Sequence, residues 1–271
     1  MGSLTDTHEP NVTRVAALTA DGVTLRGVLI ACREPADPDV AIVVGHGFTG
    51  SIHRPASARV LRRLARRATV VALDFRGHGR SDGGSSVGGI EVLDLAAAVA
   101  LARQHGYRRV VTLGFSMGAS VVLRHAALHE PAAQRPAAVA AVSSPARWWA
   151  RDTAAIRRVH FLLEAPLGRR IAPLFGARLG EEWGYHPPLS PVEVMHRIAP
   201  TPLLLVHGED DHYFPVEHAV ALHGAAGGDA RLWLEPGMKH AETGMNPGLV
   251  DRIARWLTTP AETPAPTPGI I

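Results

Sequence analysis

Hydrophobic positions along the chain follow two rhythms. Near the start, Val12–Leu18 and residues 23–30 alternate apolar with polar side chains around Ala20-Asp21-Gly22, which predicts two half-buried antiparallel strands joined by a turn. Short continuous apolar runs rich in β-branched residues then appear at 40–44, 69–73, 109–113, 137–142, 202–206 and 230–234. Between most of them, apolar residues recur with helical period: 55–67, 90–105, 117–129, 215–224 and, last, 247–257. Strands buried on both faces alternating with amphipathic helices predict an α/β fold. Its central sheet should be mostly parallel, about eight strands wide, flanked by helices, with the hairpin as an antiparallel edge.

The rhythm breaks once. Residues 144–200 hold no obvious strand but carry Trp148, Trp149, His160, Phe161, Trp183 and Tyr185. An insertion of that length is either a cap over a site or a structural excursion. The expected organisation is a core of residues 1–143 and 201–258, an insertion at 144–200, and a proline-rich tail at 259–271 that reads as disordered.

Composition narrows the classes. With 271 residues, 46% hydrophobic and 20% charged, the chain can bury a sizeable core. A single cysteine, Cys32, rules out an internal disulfide and a cysteine-based zinc site. The net charge of +3 is too small to imply nucleic acid. Arg59, Arg62, Arg63, Arg66 and Arg67 do share one helical face, and a phosphate- or membrane-binding stripe would look like this. The solvated outer face of a surface helix, paired with acids elsewhere in the fold, looks the same and is the simpler reading. Residues 1–10 are polar, without the apolar stretch of a signal peptide, and no run approaches the length of a membrane span. A cytoplasmic location is expected.

The pattern Gly-x-Ser-x-Gly occurs at 79–83, 84–88 and 114–118, so the pattern alone decides nothing. A nucleophile elbow needs a buried strand running into the turn and a helix leaving it. Only Gly114-Phe115-Ser116-Met117-Gly118 has both; the other two lie in a glycine-serine loop. A serine hydroxyl is a poor nucleophile until a base takes its proton, and an acid must orient the base. The apolar run 202–206 leads into His207-Gly208-Glu209-Asp210-Asp211, and the run 230–234 leads into Glu235-Pro236-Gly237-Met238-Lys239-His240. Ser116, then an aspartate, then His240 is the order expected of an elbow-type hydrolase. On chemistry alone Asp210 and Asp211 both qualify as the acid. His125 and His129, four apart on one helix, have a metal-ligand spacing but lack an obvious third ligand, and no metal is expected.

These segments resemble the α/β-hydrolase superfamily over about residues 23–257. The resemblance rests on His46-Gly47-Phe48, Asp74-Phe75-Arg76-Gly77-His78-Gly79-Arg80-Ser81, the elbow around Ser116, Gly208-x-x-Asp211-x-x-x-Pro215 and Gly237-x-x-His240. It implies an oxyanion hole formed by the backbone N–H groups of Phe48 and Met117, favours Asp211 as the acid, and makes 144–200 a helical cap. A carboxylic ester or related small acyl substrate is implied, with no cofactor. Thioesterase, acyltransferase and C–C bond hydrolase chemistry fit the same residues, and the oligomeric state stays open. Trp148, Trp149, Trp183 and Tyr185 are candidates for the pocket wall. Two other readings compete: a catalytically silent binding module of the same fold, and a dinucleotide site on Gly45-His46-Gly47-Phe48-Thr49-Gly50, a Gly-x-Gly-x-x-Gly motif after a strand.

Overall fold

A computed structural model describes residues 12–128, 135–180, 188–228 and 230–259. The strands are β1 (Val12–Leu18), β2 (Thr24–Ile30), β3 (Val40–Gly45), β4 (Thr69–Leu73), β5 (Arg109–Phe115), β6 (Val139–Val142), β7 (Leu203–Gly208) and β8 (Arg231–Glu235). They form one sheet in the order β1-β2-β4-β3-β5-β6-β7-β8. β1 pairs antiparallel with β2, and β2 antiparallel with β4; every pairing from β4 to β8 is parallel. The predicted sheet and hairpin are therefore present.

Alternation along the strands divides the core in two. Ala41, Val43, Val71 and Leu73 face one way, packed against α2 (Glu91–Gln104), α3 (Met117–Leu128) and α7 (Glu217–Ala225). Ile42, Val44, Val70 and Ala72 face the other, against α1 (Pro55–Leu64) and α9 (Pro247–Thr258). Between β6 and β7 the chain forms α4 (Ala154–Glu164), α5 (Pro166–Ile171) and α6 (Pro191–Val194). Val194, Met195 and Ile198 join the core beside α3, which is buried over all but its last residue. A short helix, α8 (Ala241–Gly244), follows His240.

One detail departs from the sequence reading. β8 is partly exposed rather than buried, because it is the sheet's free edge. The arginine run is a helix face paired with an acid elsewhere in the fold, in line with the simpler reading. Arg63 grips Asp251 of α9, with Nε to Oδ1 at 2.6 Å, and Arg67 Nε donates to Thr258 Oγ1 at 2.7 Å. Residues 1–11 and the tail beyond Thr259 lie outside the described residues. Among the described residues no helix is long and apolar enough to cross a membrane.

One buried ion cluster holds the loop after β4. Arg76 donates through Nε to Asp94 Oδ1 at 2.8 Å, and bidentately to Asp21 at 2.7 and 3.0 Å. Burial pushes the Asp94 carboxyl up to about 6, against the opposing pull of the Arg76 guanidinium and with a smaller push from the charge of Glu91. Removing the cation strands a buried carboxylate, so Arg76→Met is expected to cost about 3–5 kcal/mol in urea unfolding at pH 7. With its folded value above the ordinary 3.8, Asp94 favours the fold in acid and loses that contribution as pH rises through about 6. The deficit should accordingly shrink at pH 5, and an equal deficit at both pH values would contradict this account.

Candidate active site

β5 delivers Ser116 at its C-terminal end and α3 leaves directly after it. Ser116 has φ +52°, a left-handed conformation that costs a non-glycine residue energy and thrusts its side chain out of the turn. Val142 O of β6 accepts its N–H at 2.9 Å and holds the turn against the sheet. Glycine on either side is a steric need: a Cβ on Gly114 would sit 2.1 Å from Gly118 O, and one on Gly118 2.3 Å from Gly45 O. The strand and helix could not approach with larger residues.

The turns after β7 and β8 bring a carboxylate and an imidazole to this serine. His240 Nε2 lies 2.9 Å from Ser116 Oγ, and its Nδ1 lies 2.7 Å from Asp211 Oδ2. A carboxylate only accepts, so Nδ1 carries the proton and Nε2 is free to accept from the hydroxyl. The Asp211 side chain is wholly buried, whereas Asp210 and Glu209 are exposed. Asp211 Oδ1 also accepts the N–H groups of Tyr213 and Phe214 at 2.8 and 3.1 Å. Burial opposes its charge, but the bonds from His240 and these two amides outweigh it and hold the carboxyl below its ordinary range. His207 Nε2 donates to Phe214 O at 2.9 Å across the same turn. Behind the imidazole, Ser143 Oγ accepts the N–H of Ala241 at 3.1 Å.

The loop after β3 supplies a third wall. His46 Nε2 accepts the N–H of Phe75 at 3.0 Å, so its Nδ1 donates to Gly47 O at 2.8 Å and fixes the loop. Glu242 Oε1 accepts the Gly47 N–H at 3.2 Å, tying this loop to the one that carries His240. Among the described residues, the N–H groups of Phe48 and Met117 donate to no other protein group. Both residues line one cleft with Ser116 and His240, of about 1150 Å³.

A model of the alpha/beta hydrolase fold matches residues 40–161 of the chain. The esterase Pf2001 of Pyrococcus furiosus superposes with a TM-score of 0.70 at 24% identity, covering 91% of each chain. The chain has the alpha/beta-hydrolase fold. XC6422 of Xanthomonas campestris, described as an a/b serine hydrolase without lid, gives a TM-score of 0.62 at 20% identity over 92% of this chain and 97% of that one. The esterase RhEst1 of Rhodococcus sp. ECU1013 gives 0.64 at 20% identity over 93% and 100%. In sequence, the protein YfhR of Escherichia coli O157:H7 is 28% identical over 229 residues, 82% of this chain and 71% of YfhR.

Within this alpha/beta-hydrolase fold, the Gly45–Gly50 motif starts on the last residue of β3 and runs into the loop before α1, which begins only at Pro55. No helix N-terminus stands inside the glycine run, where a dinucleotide pyrophosphate would need one. Trp148 lines the cleft, while Trp149 is 40% exposed and stacks on His160 at 5.9 Å. Trp183, Tyr185 and His129 lie outside the described residues. Sequence reasoning overlooked Glu242 and Ser143. It also overlooked Glu91, whose buried carboxylate accepts from Ser85 Oγ, Ser86 Oγ and the N–H groups of Ser86 and Gly88 at 2.6–2.8 Å. Glu91 is the first residue of a helix and reads as an ordinary first-turn acid; a glycine-serine loop just upstream was the available signal.

Proposed function

We propose that the protein is a serine hydrolase that cleaves carboxylic esters through an acyl-enzyme on Ser116. The observation that carries this reading is the series Ser116 Oγ, His240, Asp211, joined at 2.9 and 2.7 Å beside an open cleft. His240 takes the hydroxyl proton as Oγ attacks the ester carbonyl, and Asp211 stabilises the imidazolium that forms. The free N–H groups of Phe48 and Met117 receive the developing oxyanion, a contribution of about 3–4 kcal/mol each. The imidazolium protonates the leaving alcohol; water, deprotonated by the same imidazole, then releases the acid. α4 and α5 act as part of a cap whose apolar side chains receive the acyl or alcohol group.

A fluorophosphonate should label the protein at Ser116, read by peptide mass, and p-nitrophenyl esters should be turned over. Absence of both from folded protein would remove the assignment. Asp211 is held below the ordinary carboxylate range, so it stays ionised as pH falls. Its stabilising contribution is present above that range and lost only as pH drops through the depressed value. Turnover should therefore not fall with a proton taken up by Asp211 at the ordinary carboxylate value, and a pH–rate profile that loses activity there in step with Asp211 protonation would contradict this account.

A further inference from the structure

Among the described residues, the cleft at Ser116 combines a large apolar wall with a one-sided set of charges. Trp148, Val159, Leu163, Leu174 and Phe175 from the segment between β6 and β7 line it together with Met117. Leu174 and Phe175 remain 83% and 50% exposed, although buried apolar surface is what folding rewards. Four arginines line the same space: Arg54 and Arg59 at the N-cap and in the first half of α1, Arg147 in the loop after β6, and Arg158 on α4. All four are exposed, and among the described residues none is paired with a carboxylate. Arg54 reaches only a carbonyl, Phe175 O, at 3.3 Å. The surroundings of these four differ from those of Arg63, Arg76, Arg108, Arg151 and Arg252, each of which holds an acid. Among the described residues the one acid lining the cleft, Glu242, is engaged with the Gly47 N–H.

Like charges gathered on low-dielectric walls focus their field into the space between them. Guanidinium groups match the oxygens of phosphate and carboxylate, singly or in pairs. We infer that the cleft takes an amphiphilic substrate, an apolar chain bearing an anionic phosphate or carboxylate group that the four arginines receive. The inference rests on the proposed reading of Ser116 for what happens to the bound molecule, but not for its binding. A soluble acyl compound and an anionic lipid headgroup both offer this chemistry.

Binding is measured in full-length Ser116→Ala protein at 20 mM NaCl, by the change in tryptophan fluorescence on adding octyl phosphate, octanoate or octanol below their aggregation limits. Octyl phosphate and octanoate should bind at least fivefold more tightly than octanol. That preference should fall towards one in the double variants Arg54→Gln/Arg59→Gln and Arg147→Gln/Arg158→Gln, and at 0.5 M NaCl, where screening is nearly complete. A preference below fivefold, or one that survives both double variants, overturns the inference. A parallel arm offers vesicles of phosphatidylglycerol. Vesicle binding together with octyl phosphate binding points to a lipid source, and octyl phosphate binding alone to a soluble one. Vesicle binding without octyl phosphate binding places the anion site outside the cleft and overturns the inference. Turnover of p-nitrophenyl octanoate by the unaltered protein tests the Ser116 reading separately, so failure of catalysis and failure of anion recognition give different results.

Discussion

Ser116→Ala is expected to lower ester turnover by about four to six orders of magnitude while leaving the fold intact. The substitution removes one oxygen, Oγ, whose partner in the structure is His240 Nε2. No buried polar atom loses its only bond, because Nδ1 keeps Asp211 and Nε2 can turn to water in the cleft. The backbone demands are unchanged, since alanine meets the same left-handed strain at φ +52° as serine. Melting temperature should therefore stay close to that of the unaltered protein. What remains of catalysis would come from the Phe48 and Met117 N–H groups and from binding alone. Turnover close to that of the unaltered protein in purified Ser116→Ala, or fluorophosphonate uptake at another serine, would show that the elbow is not where the chemistry happens.

Asp211→Asn is the second large effect, expected at about three to four orders of magnitude in kcat. An asparagine in the same place can turn its NH2 towards Nδ1. The imidazole would then carry its proton on Nε2 and could no longer accept one from Ser116. Part of the loss is electrostatic, as no carboxylate would face the imidazolium. Asp210→Asn should change turnover by no more than about threefold. The Asp210 side chain is exposed, and the bond placing the residue runs from its backbone N–H to Met238 O at 3.2 Å. A large effect at Asp210 with a small one at Asp211 would transfer the acid role to the neighbour.

The sheet was legible because each strand is a short β-branched run bounded by turns, and the predicted runs lie within two residues of the observed strands. The strands that run into the site extend slightly beyond those runs, to Gly45, Phe115 and Gly208. Gly45, Gly114, His207 and Gly208 at those ends interrupt the apolar signal that a pattern reading relies on. Ser116, Asp211 and His240 stood out because each follows a strand at the same edge of the sheet. Glu242 and Ser143 did not. Their contacts join segments 195 and 98 residues apart in the chain, and no local pattern encodes such a meeting. The segment between β6 and β7 was the hardest to read. Its short helices begin at ordinary signals, Thr153 and Pro166, but only three-dimensional packing reveals that Trp148 faces the cleft while Trp149 does not.

The foot of α4 is fastened to the turn that carries Asp211. Thr153 Oγ1 donates to Tyr213 O at 2.8 Å, and Asp152 meets His218 Nε2 at 3.0 Å, while His218 Nδ1 receives the N–H of Ala146 at 2.9 Å. Tyr213 is the residue whose own N–H steadies the Asp211 carboxylate. A swing of this helix that widened the mouth for a bulky guest would thus tug on the lever behind the imidazole. On the proposed reading of the site, a guest small enough to enter without disturbing α4 would meet Ser116, His240 and Asp211 already aligned.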